Sequence, residues 1–156
     1  MTPQDIVDFI YDEAFALDTM QWDDWLAMFH KDGRYWMPLE WQQTDPILQP
    51  SLMYEDWLLL TIRVERLNGD RTFSQKPKSR CHHLLQQPRI VSMGEGGVYK
   101  TRTSFIYTET RGDHLDRYSG WVNHELVEYE GALKIMLKRV DLINFDAPFG
   151  NIQLFI

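Results

Sequence analysis

Cysteine is almost missing: Cys81 is the one thiol in 156 residues. An internal disulfide is therefore excluded, as is a zinc or iron–sulfur centre built from this chain's own thiolates, and a reducing cytoplasm is the expected home. Basic charge is also short. Sixteen Lys and Arg face 23 Asp and Glu, a formal net charge of −7, which opposes binding to nucleic-acid phosphates or to an anionic membrane surface. No run approaches the ~18–20 consecutive apolar residues of a membrane span. The opening "MTPQDIVDFIYDEA" carries acids where a secretion signal needs a basic start. Repeats, low-complexity tracts and composition breaks are lacking too, so residues 1–156 are expected to form a single domain.

Apolar residues, by contrast, are plentiful at 44%, and aromatics at 13% supply large rings for a core or an interface. The first helix has a readable start: Thr2 caps, Pro3 suits the first helical position, and Asp5 lies in the first turn, where the dipole favours an anion. Ile6, Ile10, Ala14 and Leu17 then recur at helical spacing. A second short helix is expected over "WDDWLAMF", begun by Asp18 or Thr19 and ended by His30-Lys31-Asp32-Gly33. "RYWMP" at 34–38 reads as a strand, and residues 39–53, with Pro46 and Pro50, as a long loop. "YEDWLLLTIRVERL" at 54–67 is a third helix, with Trp57, Leu60, Val64 and Leu67 on one face.

Beyond Cys81 the chain is dense in Val, Ile, Thr, Tyr and Trp, broken at Gly94–Gly97, Arg111–Asp113 and Glu130–Gly131. Strands in a consecutive antiparallel meander are expected. Leu133, Ile135 and Leu137 alternate with Lys134, Met136 and Lys138, which predicts a last strand with the three former residues facing the core. Helices first and a curved sheet afterwards make an α+β fold. The order matches the cone-shaped folds resembling nuclear transport factor 2.

Four motifs go further: "MFHKDGRYW" at 28–36, "RYWMP" at 34–38, "YEDWLLLTIRVERL" at 54–67 and "GALKIMLKRVDLINFDAPFGNIQLFI" at 131–156. Together they resemble the small (beta) subunit of aromatic-ring-hydroxylating dioxygenases, essentially end to end. The resemblance singles out Tyr54, Asp56, Arg63, Arg66, Asn144, Asp146, Asn151 and Ile152, and Trp36, Pro38, Trp41 and Phe155 join them as structural or interface candidates. It implies a chain without catalytic, cofactor or metal residues of its own. Its partner would be a large (alpha) subunit carrying a Rieske [2Fe-2S] cluster and a mononuclear Fe(II), in an alpha3beta3 hexamer where beta chains also touch. A Rieske centre takes two Cys and two His, and one Cys cannot supply it. The substrate implied is an aromatic compound, with a carboxylic acid such as terephthalate or benzoate favoured.

Other readings stay open. His30-Lys31-Asp32 has the His-x-Asp spacing of an iron triad that His114 or His124 could complete, but the same residues also suit a helix end and turn. Neighbouring His82 and His83 point to opposite faces of a strand, so one of them at most looks into the cone. Asp24, His82 or His83, His124 and Tyr35 could serve as acid, base and oxyanion donor of a free-standing cone-fold isomerase or dehydratase. A small-molecule binding module is the third class. Against both stands the volume of Trp22, Trp25, Trp36, Trp57 and Trp121, expected to crowd the interior. Arg63 and Arg66 are expected to pair with Glu55 or Asp56. The apolar close, Ile152, Leu154, Phe155 and Ile156, must be buried, either as a strand in the sheet or between subunits. The loop from Leu39 to Met53, with Trp41, Ile47 and Leu48, and the connection from Asn68 to Arg80 are the candidate partner contacts.

Overall fold

The computed structural model describes residues 1–69, 78–144, 152 and 154–156. Among these residues, three α-helices, α1 (Pro3–Asp18), α2 (Trp22–Ala27) and α3 (Trp57–Asn68), accompany seven strands: β1 (Phe29–Pro38), β2 (Ser51–Glu55), β3 (Arg80–Leu85), β4 (Arg89–Met93), β5 (Tyr99–Arg111), β6 (His114–Tyr129) and β7 (Ala132–Leu142). This is the expected α+β architecture.

α1 starts as its sequence dictates. Thr2 Oγ1 accepts from the Asp5 N–H at 3.2 Å, and Asp5 Oδ2 accepts from the Thr2 N–H at 2.7 Å, a reciprocal capping box. α3 begins later than the charge pattern suggested. Asp56 is its N-cap, accepting from Leu59 N–H at 3.0 Å, while Tyr54 and Glu55 belong to β2. The expected loop over 39–53 therefore ends early, in a strand that pairs with β1. β1 in turn starts at Phe29, so the second helix is shorter than expected and His30 lies in a strand, not at a helix end. Gln21 precedes α2, without a side-chain cap.

The sheet runs β2-β1-β7-β6-β5-β3, with β4 also on β5. The long strands β5, β6 and β7 form the expected antiparallel meander. Its flanks depart from expectation. β1 pairs parallel to β7, and β3 and β4 each pair with β5 instead of with each other. Chain order ranks neighbours only where a tight turn forces pairing. The β6–β7 turn is such a case: Glu130 and Gly131 both hold positive φ, 52° and 80°, as a two-residue hairpin turn requires.

One face of the sheet curls over α1, α2 and the chain's last residues to make the core. Ile6, Ile10, Leu17, Trp25, Tyr35, Leu60, Tyr107, Leu126, Ile135 and Phe155 are all at most 1% exposed. β7 shows why strand phase cannot be read from alternation alone. Glu125 pairs with Leu137 but Leu126 pairs with Ile135, so Met136 is an extra residue that bulges out of the ladder. After it the phase flips. Leu137 turns from the core, and Lys138 takes the inward position at 3% exposure.

Candidate functional site

Three elements send charge into the inside of the cone. α1 contributes Glu13, 3% exposed, on the same stripe as Ile6, Ile10 and Leu17. β6 contributes His124, whose alternation with Val122 and Leu126 makes it inward. β7 contributes Lys138, delivered by the bulge. These groups meet at Glu13: Lys138 Nζ donates to Glu13 Oε2 at 2.6 Å, His124 Nε2 lies 2.8 Å from Glu13 Oε1, and Trp25 Nε1 donates to Glu13 Oε2 at 2.8 Å. Burial alone would raise the Glu13 carboxyl. The Lys138 charge, together with hydrogen bonds from His124 and Lys138, outweighs it and holds the group well below the usual carboxylate range.

A second polar group lies where α1 ends against β3. His83 Nδ1 is 2.6 Å from Asp18 Oδ1, the His83 backbone N–H also donates to that carboxylate, and Cys81 Sγ approaches Asp18 Oδ1 at 3.8 Å. Asp18, Cys81 and His83 are the only His, Cys, Asp or Glu triplet close enough to share a metal ion among the described residues. Burial, then the Asp18 and Glu109 carboxylates, push the Cys81 thiol up to about 12, which keeps it protonated. The expected split of His82 and His83 holds, with His82 exposed and the His83 side chain 5% exposed.

The apolar close of the sequence fills the rest of the space. Phe155 stacks on Trp25 at 4.2 Å between ring centroids and meets Trp22 and Tyr35 edge-on. Arg63 clamps this segment from α3. Its guanidinium pairs with Glu55 at 2.6 Å, donates to Leu154 O at 3.2 Å, and covers the Phe155 ring at 4.2 Å. Leu154 N–H donates to Glu109 Oε1 at 2.9 Å, and Tyr35 Oη donates to Ile156 O at 3.4 Å. Residues 154–156 thus lie inside their own chain, neither as a strand of the sheet nor on its surface. The cavity left among Ile10, Leu17, His83, Val122, His124 and Lys138 measures about 20 Å³, the size of a water molecule. Among the described residues, the space beside these acid–base groups is too small for an organic substrate.

Several expected participants lie elsewhere. Asp24 is exposed on α2. His30 Nδ1 accepts from the Asp32 N–H at 3.0 Å, and His114 pairs with Asp116 at a hairpin end, far along the chain from the buried His124, so the iron-triad candidates do not converge. Of the five tryptophans expected inside, Trp22 and Trp25 are in the core and Trp57 packs at its edge. Trp36 and Trp121 sit on strand positions of opposite phase to Tyr35 and Val122, and so lie on the outer face.

That outer face gathers most of the remaining candidates. Trp36 Nε1 donates to Ser51 Oγ at 2.8 Å, its ring meets Tyr54 edge-on, and the Arg139 guanidinium lies 4.5 Å from it. Pro38 is buried at the end of β1, opposite Ser51. Trp41 Nε1 donates to Leu142 O at 2.8 Å and its ring meets Trp121 edge-on at 5.6 Å. Arg139, held by Asp141, donates to the carbonyls of Trp41 and Gln43 at 2.7 and 2.5 Å. The loop is fixed from within as well, since Asp45 Oδ1 accepts from the Ile47 and Leu48 N–H groups. Ile47 and Leu48 are left 80% and 83% exposed. Arg63 pairs with Glu55 as expected, whereas Asp56 caps α3 and Arg66 lies exposed in the last turn. Asn144 follows β7 with Oδ1 buried and without a hydrogen-bond partner among the described residues. Asp146 and Asn151 lie outside the described residues, as does most of the connection from Asn68 to Arg80.

Glu13, Lys138, His83 with Asp18, and Arg139 were not singled out by sequence for these roles. Glu13 had a readable signal, an acid on the apolar stripe of α1. Lys138 had none, because its facing depends on the bulge.

Comparison with known proteins agrees with this picture. The family model described as ring hydroxylating beta subunit matches residues 12–146. The small oxygenase component of the p-cumate 2,3-dioxygenase system of Pseudomonas putida is 28% identical over 160 residues, covering 100% of this chain and 88% of that protein. The beta subunit of benzoate 1,2-dioxygenase from Acinetobacter baylyi is 34% identical over 148 residues, covering 90% and 86%. Among solved structures, the beta subunit of the benzoate 1,2-dioxygenase of Burkholderia mallei superposes with a TM-score of 0.78 at 28% identity, covering 99% and 98% of the two chains. A putative scytalone dehydratase from Novosphingobium aromaticivorans, at TM-score 0.64 and 13% identity, shares the cone fold.

Proposed function

This chain belongs to the ring-hydroxylating dioxygenase beta-subunit family, and on that premise we propose that it is a non-catalytic assembly subunit that supports a large oxygenase subunit. The observation that carries this reading is the filled cone: Phe155 and Ile156 are buried inside it, Phe155 stacked on Trp25, and the cavity beside His83 and His124 among the described residues measures about 20 Å³. The Rieske [2Fe-2S] cluster and mononuclear Fe(II) belong to the partner. Cys81 alone cannot supply the two thiolates of a Rieske site. Three large and three small subunits form the assembly, in the cytoplasm. Among the described residues no helix is long and apolar enough to cross a membrane.

The contact we assign is the loop after β1. It is held rigid by Arg139 and Asp45 while Ile47 and Leu48 point into solvent, so little ordering entropy stands against their burial in a partner. The reaction of the assembly is dihydroxylation of an aromatic carboxylic acid of the benzoate or terephthalate kind, a reading supported by the benzoate enzymes among the relatives. The test is coexpression with a large oxygenase subunit. Stable copurification and turnover by the pair but not by this chain alone are expected. Product formed by the lone chain would overturn the reading in favour of a free-standing isomerase or dehydratase.

A further inference from the structure

The two buried histidines carry an unused pair of atoms. Asp18 Oδ1 lies 2.6 Å from His83 Nδ1, and Glu13 Oε1 lies 2.8 Å from His124 Nε2. A carboxylate only accepts, so each of these ring nitrogens carries a hydrogen. In a neutral ring the opposite nitrogen is then a bare acceptor. Those opposite atoms are His83 Nε2 and His124 Nδ1, both buried and without a hydrogen-bond partner among the described residues.

Both rings line the same cavity of about 20 Å³. A single water requires roughly 10–15 Å³ of such space and two or more polar partners. We propose that this cavity binds one water molecule, which donates one hydrogen to His83 Nε2 and the other to His124 Nδ1. The chemistry selects this occupant. An anion needs donors where the rings offer lone pairs, an organic ligand needs more volume, and a cation would meet the Lys138 ammonium on the same wall. The water closes a continuous chain, Asp18–His83–water–His124–Glu13–Lys138, tying α1 to β3, β6 and β7 across the interior. It is a structural ligand, independent of what the assembly oxidises.

Two measurements test it on the full-length chain. A crystal structure at a resolution that orders internal solvent should show one peak within hydrogen-bonding distance of both nitrogens. A dry cavity, nitrogens bonded to protein groups instead, or an anomalous signal from a metal at that position would each overturn the proposal. Imidazole ¹⁵N shifts at neutral pH should show the Nδ1–H form of His83 and the Nε2–H form of His124. An imidazolium at either position leaves no acceptor there and equally overturns it.

Discussion

The inner and outer faces of the same sheet use similar side chains to opposite ends. Inside, Lys138, His124 and Trp25 all turn toward Glu13, and Arg63 holds Phe155 as a plug. Outside, Arg139, Asp141, Trp36, Trp41 and Trp121 also bond among themselves, yet their effect is to brace a loop whose Ile47 and Leu48 stay in solvent. The inner network closes a space and the outer one prepares a surface. The back of the sheet thus presents exposed apolar side chains braced by a rigid loop, where recognition by another chain has something to gain.

The sharpest way to break this contrast is to unbalance the interior. Lys138→Met leaves the Glu13 carboxylate buried without its ammonium partner and is expected to cost about 3–5 kcal/mol, the penalty of an uncompensated buried charge. Denaturant unfolding measures it. The double variant Glu13→Gln, Lys138→Met should recover much of the loss, whereas a single variant within about 1 kcal/mol of the parent would mean that the pair is hydrated and the cone open. Phe155→Ala comes next, at about 3 kcal/mol for a large buried ring removed from contact with Trp25 and Arg63. A loss under ~1 kcal/mol there would remove the case for a plug.

The Glu13 shift sets a third test. Its folded carboxyl is held below the unfolded value of about 4.3, so the associated stability is fully present above that pH and drains away as pH falls toward the depressed folded value. Unfolding free energies measured from pH 6 down to pH 3 should fall in the parent chain. Glu13→Gln should show a shallower fall over that window. Parallel curves would place the acid sensitivity in other carboxylates.

How much of this was legible differs between the two faces. The α+β order, the cap of α1 and the β5–β6–β7 meander follow from local rules written in contiguous residues. The outward position of Trp36 was legible in principle, since alternation forbids it from sharing a face with Tyr35. Lys138 was not, because one bulged residue, Met136, inverts the facing of everything after it, and bulges leave no compositional mark in "LKIMLKRV". The parallel β1–β7 pair and the burial of residues 154–156 are long-range contacts, decided by the whole fold.

The mildest perturbation discriminates best between the faces. Ile47→Ser with Leu48→Ser removes two exposed side chains whose backbone is already fixed by Asp45, so folding stability should change by no more than about 0.5 kcal/mol. Binding of the purified chain to the large subunit should weaken by about 1–2 kcal/mol, read as a five- to thirty-fold rise in Kd by titration calorimetry. An unchanged Kd with unchanged stability would move the contact elsewhere on the molecule, with the apolar face of α3, Leu58, Leu59 and Ile62, as the next surface to substitute. Lowered stability with unchanged Kd would instead mean that the loop packs on its own chain, and the distinction between a closed inside and a presenting outside would fail.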